Sequence, residues 1–124
     1  MQAESPITVA CIQMEPKIGE KKANVAHSLD KISEAAGKGA RLIVLPELCN
    51  SGYVFASRHE AFTLAEPVPN GATSEAWLDA ACRHGTVIVA GICERAGDAL
   101  YNSAAIVGPG RTNSKRRKHA ISRG

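Results

Sequence analysis

What this sequence has little of narrows it first. Aromatic residues make up 4% of the chain, and none falls in 108–124, so a surface on which single-stranded bases stack is excluded there. No stretch approaches the ~18–20 uninterrupted apolar residues of a membrane-spanning helix. The start, MQAESPITVACIQ, lacks the basic opening and apolar run of a signal peptide; the expected location is the cytoplasm, with no membrane among the partners. Cysteine is sparse: positions 11, 49, 82 and 93 include no C-x-x-C and no Cys/His pair at zinc-ligand spacing. No metal and no cofactor are therefore expected. Cys11, Cys82 and Cys93 lie in apolar or helical segments and read as small buried hydrophobes.

Acidic residues are missing from one place only. Residues 1–110 hold nine Lys and Arg against twelve Asp and Glu, whereas 111–124 hold six Lys and Arg and no acid, so the formal charge of +3 belongs to the last segment. Such a shift marks a binding arm or a segment outside the fold. The division expected is a folded part over 1–110 and a basic tail over 111–124, disordered or the product of a disturbed reading frame. In what remains, 44% apolar and 22% charged residues are ordinary for a globular domain. A chain of this length can bury roughly 65–70% of its unfolded surface in one core.

ITVACIQM (7–14) is apolar at both parities, as in a strand covered on two faces. From Gly19 to Gly37 the apolar residues Val25, Leu29, Ile32 and Ala36 recur at helical spacing between charged positions, predicting an amphipathic helix. RLIVL (41–45) is a second apolar strand, so 7–45 reads as a β-α-β unit with parallel strands. After Tyr53 no period is evident until Pro67, Pro69, Asn70 and Gly71 make a turn. Thr73 or Ser74 then caps a helix ending at Gly85, with Trp77, Leu78 and Ala81 facing inward. TVIVAGICE (86–94) and LYNSAAIV (100–107) are two more strands, paired antiparallel across the short turn RAGDA. The fold class is α/β.

One residue in this frame asks for an explanation. LIVLPELCNSGY (42–53) runs four apolar residues into a proline and then Glu47, with Leu48 behind it. A carboxylate in apolar surroundings is costly unless paired or used, so Glu47 is either a satisfied structural acid or a catalytic one. VACIQMEPKIGEKKANV, GARLIVLPELCNSGY and LYNSAAIVGP together resemble, in order and spacing, the N-terminal half of the carbon-nitrogen hydrolase family, the nitrilases and amidases. The resemblance covers 7–109 and implies about half of a four-layer α-β-β-α sandwich of the nitrilase type. It also implies a Glu-Lys-Cys triad in which Glu47 is the general base, with a pKa raised by its collar of Leu45, Pro46 and Leu48. Tyr53 is expected to line the pocket, the alternative being a packing aromatic.

The family lysine follows a tyrosine and an arginine on the strand after the NSA segment. Counting from Pro109 it falls on Lys118, preceded by Arg117, with Arg116 in the aromatic's place and His119 one position early. The family cysteine lies further downstream, and none of the four cysteines present stands in its context, Cys49, two positions from Glu47, included. No nucleophile is expected in the chain. The expectation is a truncated carbon-nitrogen hydrolase, inactive alone, whose family hydrolyses small amides or nitriles. The rival is a non-enzymatic interaction module whose basic tail docks on nucleic acid or an acidic partner, an attraction that would be sequence-blind and salt-sensitive. The resemblance also implies a homo-oligomer, and a separately made C-terminal half could complete the site.

Overall fold

The computed structural model describes residues 5–121. β1 (Thr8–Cys11), β2 (Ala40–Val44), β3 (Val87–Ala96), β4 (Ala99–Gly108) and β5 (Thr112–Ala120) form one sheet in that order. The first three run parallel and the last three antiparallel. Crossover segments join the parallel strands: α1 (Lys21–Gly37) between β1 and β2, then α2 (Arg58–Leu64) and α3 (Ala72–His84) between β2 and β3. The predicted β-α-β unit, the third and fourth strands and the helix before Gly85 are all present. No helix among the described residues is long and apolar enough to cross a membrane.

One face of the sheet carries the core. Ile43, Leu45, Ile88, Ala90, Ile92, Ala105 and Val107 meet Ile32 and Ala35 of α1 and Trp77, Leu78, Ala80 and Ala81 of α3. Trp77 is fully buried, and its indole Nε1 donates to Ser28 Oγ at 2.9 Å, tying the two helices together. The buried stripe of α1 is Asn24, Ser28, Ile32 and Ala35, turned from the apolar positions the periodicity selects. Val25 and Leu29 are only half-buried. A polar residue is tolerated inside when its hydrogen bonds are met, and Asn24 and Ser28 both have partners.

The other face corrects an expectation. β1 is not covered on both sides: Val9 is 50% exposed and Val87, across the sheet, 36%. Cys11 is exposed with them and Cys82 is half-buried, so only Cys93 of the three is a buried hydrophobe. Apolar side chains at both parities therefore record two faces: along β1 the described residues cover one, and α2 covers the other only around Cys93 and Leu100.

Two elements depart from the sequence reading. α2 interrupts the stretch that lacks period. Its signal is local: Ser57 caps it by accepting from Glu60 N at 3.1 Å, while Glu60 Oε1 accepts from Ala56 N at 2.8 Å, close to a capping box. It packs Ala61 against Leu48, Cys93 and Leu100 at the end of the sheet. The larger departure is β5. Thr112–Ala120 is a strand, paired with β4 along its length, where the sequence predicts a tail outside the fold. Its sequence, TNSKRRKHA, has nothing apolar to bury before Ala120. Its cations meet carboxylates instead.

Candidate active site

Glu47 sits in the turn that follows β2, and its position is set by backbone. Leu45 N donates to Val89 O at 2.8 Å, Gly91 N to Pro46 O at 3.0 Å and Cys49 N to Gly91 O at 3.0 Å, so the turn is stitched onto β3 on both sides of Glu47. The contact is too close for a side chain on the strand. A Cβ at Gly91 would lie 2.4 Å from Glu47 Cα and 2.5 Å from Leu48 N. Leu48 itself has φ 46, a left-handed backbone that a branched side chain seldom adopts. A second layer holds the end of the turn: Asn24 Nδ2 donates to Asn50 O at 3.1 Å, and Asn50 Nδ2 to Glu66 Oε2 at 3.3 Å. Glu66 is buried, takes the hydroxyl of Thr73, accepts from Thr73 N at 2.8 Å and pairs with Lys21 at 3.2 Å.

The carboxylate of Glu47 meets two donors. Lys118 Nζ lies 2.6 Å from Oε1, and Asn102 Nδ2 donates to the same oxygen at 2.7 Å. The two sequence-predicted residues, 71 positions apart, are thus in direct contact. Strand alternation explains the geometry. Lys115 and Arg117 lie opposite Ala105 and Ser103, on the helix-covered side, and Lys118 falls on the other side with Glu47. A register shift between Asn102 and Ser103 leaves Lys118 as the extra residue of the strand, between Arg117 opposite Ser103 and His119 opposite Asn102.

The electrostatics reverse one expectation. The hydrogen bonds from Lys118 and Asn102 hold the Glu47 carboxyl below its ordinary value, outweighing burial. No apolar collar closes over it, because Leu45 and Leu48 turn into the interior while the Glu47 side chain is 42% exposed. Tyr53 lies 47% exposed beside a shallow cleft bounded by Ile12, Met14, Val44 and Pro46. Burial, then the charges of Cys49 and Glu47, raise its phenol. No hydrogen bond joins it to Glu47 or Lys118 among the described residues.

Neither Cys49 nor Cys93 reaches this pair. Cys49 is fully buried with its Sγ 3.4 Å from Gly91 O, and burial pushes its thiol up to about 12. Cys93, at about 11, is buried too, with its Sγ toward Ala61 O of α2. The sequence reading missed Asn102, Asn50 and Glu66. Asn102 and Asn50 stand inside the quoted motifs, where a polar amide beside apolar neighbours is the available signal, whereas Glu66 is recognisable only once the turn and α3 are brought together.

The carbon-nitrogen hydrolase family profile matches residues 8–123. The chain belongs to this family. It is 46% identical over 103 residues to a nitrilase of Pyrococcus abyssi, covering 83% of this chain and 39% of that protein. It is 37% identical over 108 residues to a chloroplastic omega-amidase of Arabidopsis thaliana, covering 80% of this chain and 28% of the relative. Among solved structures, Saccharomyces cerevisiae Nit3, a member of branch 10 of the nitrilase superfamily, superposes with TM-score 0.79 at 25% identity, over 95% of this chain and 48% of that one. An N-terminal amidase gives the same TM-score at 23% identity, over 92% and 28%. This carbon-nitrogen hydrolase chain thus spans well under half the length of the curated relatives named. Its match runs through β5, so the basic segment is aligned with the family and not set apart from it.

Proposed function

We propose that this chain supplies the acid-base half of a thiol-dependent hydrolase acting on small amides or nitriles, with Glu47 as general base and Lys118 as the cation that stabilises negative charge on the substrate. The observation that carries the reading is the 2.6 Å contact between Lys118 Nζ and Glu47 Oε1. A carboxylate held low is fully deprotonated at neutral pH, the form a base requires. In the proposed reaction Glu47 takes a thiol proton as the sulfur attacks the carbon bonded to nitrogen. The ammonium of Lys118 faces the charge that develops on the oxygen or nitrogen of that carbon. Glu47 returns the proton to the departing nitrogen of an amide, and water then hydrolyses the thioester. Asn102 holds the carboxylate in place.

In this reading the thiol comes from outside these 124 residues: Cys49 and Cys93 are buried with raised pKa values, and no hydrogen bond joins Cys11 or Cys82 to Glu47 or Lys118 among the described residues. By itself the chain is expected to release no ammonia above background. Unpaired cysteines favour a reducing compartment, and we place the protein in the cytoplasm. The rival reading, a docking arm of free basic charge, has lost its support. Arg111 pairs with Glu75 and Asp79, Lys115 and Arg117 with Glu94, and Lys118 with Glu47.

A chimera tests the assignment. Residues 8–120 would replace the matching stretch of the Pyrococcus abyssi nitrilase, and ammonia release from a panel of small nitriles and amides would be measured. Activity is expected, reduced about 10²–10⁴-fold by Glu47→Gln and about 10²–10³-fold by Lys118→Met. A folded, inactive chimera, or full activity in Glu47→Gln, would overturn the reading.

A further inference from the structure

β5 poses a physical problem. A strand of polar residues with one face open has little to define its register, and a slip of one residue would exchange its two faces. In β5 that slip would turn Arg116 and Lys118 toward the helix-covered side and present Lys115 and Arg117 to Glu47. The run KRRK offers a cation in either register, so charge by itself does not choose between them.

The choice is made from β3. Glu94 is 0% exposed and lies on the helix-covered side of the sheet, two strands away from β5. Both its oxygens are occupied. Oε1 accepts from Ser103 Oγ at 2.8 Å and from Arg117 Nε at 3.0 Å; Oε2 accepts from Arg117 Nη2 at 3.2 Å and from Lys115 Nζ. Arg117 engages the carboxylate through a two-point fork, whose planar geometry admits little sliding. Lys115 also donates to Val68 O at 2.9 Å, and the Arg117 guanidinium stacks 4.1 Å from the Tyr101 ring centroid. A residue that grips positions 115 and 117 from one side settles which side position 118 takes.

We propose that Glu94 is a positioning residue for the acid-base pair: by clamping Lys115 and Arg117 from β3 it selects the register of β5 that delivers Lys118 to Glu47. The proposal rests on the reading of Glu47 and Lys118 as that pair, but its test needs no turnover. Glu94 touches neither residue and acts only through the strand.

The test follows the Glu47 side-chain carboxyl by NMR titration in the 124-residue chain, together with β4-to-β5 cross-strand contacts and amide exchange. The charged and polar groups recorded against that carboxyl are Lys118 and His119 of β5 and Asn102 of β4, with Tyr53 on its own loop. In the unmodified chain the midpoint lies below the ordinary 4.5, and Lys118→Met raises it. Glu94→Gln is expected to raise it by a comparable amount, to displace the Ser103 to Arg117 cross-strand contact and to speed exchange of the β5 amides at least tenfold. Glu94→Asp, which keeps the charge, restores part of the shift. Because a lone Gln beneath two cations can unfold the chain, the triple variant Glu94→Met, Lys115→Met, Arg117→Met, which leaves no charge in the clamp, is measured alongside. It is expected to keep the sheet while losing the single register and the low Glu47 midpoint. An unchanged midpoint and cross-strand register in either folded variant overturns the proposal. If Lys118→Met itself leaves the Glu47 midpoint unmoved, the acid-base pair is what fails, and the clamp proposal falls with it.

Discussion

At Glu47 a low pKa and a high exposure occur together, and both come from where the side chain points. Leu45 and Leu48 look inward, so the carboxylate stays wet and is governed by its two donors rather than by burial. The thiols behave in the opposite way, because Cys49 and Cys93 are enclosed and burial outweighs what favours the thiolate, for Cys93 the charge of Lys21. Alkylation with iodoacetamide at pH 8, followed by peptide mass spectrometry, is therefore expected to modify Cys11 first and to leave Cys49 and Cys93 intact in the folded chain. Modification of Cys49 at the rate of Cys11 would show its thiol to be reachable and would reopen it as a nucleophile. Glu47 stood out in the sequence because an acid follows an apolar strand and a proline there, in a stretch that resembles a family motif, and its contact with Lys118 is what the structure adds. Its pKa was not legible, since local sequence cannot say which way neighbouring leucines turn.

The turn and the strand beneath it behave as one element. Gly91 lets β3 run so close to the turn that a Cβ there would lie 2.4 Å from Glu47 Cα, a contact that no side chain can occupy without shifting the turn. Gly91→Ala is expected to destabilise the chain by about 1–3 kcal/mol, the usual cost of overpacking, measured by urea denaturation. Unchanged stability would mean that the turn moves freely and is not held by the strand. α2 shows the same dependence on a single residue at lower stakes. Ser57→Ala removes its cap and should cost about 0.5–2 kcal/mol, seen as faster amide exchange confined to Arg58–Leu64. The first four strands and the two long helices were readable from period and turn residues. α2 was missed, because its signal is the Ser57 and Glu60 cap and not an apolar stripe.

In the molecule taken together, three carboxylates are held below their ordinary value by partners on other elements. Glu47 is lowered by Lys118 and Asn102. Burial pushes Glu66 and Glu94 up, but Thr73 and Lys21 in one case, and Arg117, Lys115 and Ser103 in the other, bring them lower. A group whose folded value is depressed contributes stability that is present above its unfolded value and is lost as pH falls through the folded one. Stability is thus expected to hold above about pH 5 and to decline from about pH 4.5 downward, with β5 released first because its cations depend on Glu94 and Glu47. Thermal unfolding across pH 3–7, with amide exchange on β5, checks the order; a midpoint independent of pH over that range would contradict it. The uncovered sheet face makes the second expectation at this level. With Val9 and Val87 exposed, the isolated chain should self-associate, and Val9→Lys with Val87→Lys should shift it toward monomer on size-exclusion chromatography. An already monomeric parent chain would contradict this.

The order of β1, α1, β2, α3, β3 and β4, the parallel pairing of β1 with β2, the antiparallel β3–β4 hairpin and the choice of Glu47 as a candidate all follow from local patterns: apolar period, glycine and proline positions, and one acid out of place. These act over a few residues and can be read along the chain. The fate of residues 112–120 cannot. A run of cations with no apolar partner reads as an arm until Glu94 and Glu47, 23 and 71 positions from the cations they hold, are brought beside it by the sheet. The same holds for the pKa of Glu47, for the burial of Asn24 and Ser28 and for the open face of β1. Each depends on what stands across a strand or under a helix, and folding alone decides which distant charges and surfaces meet.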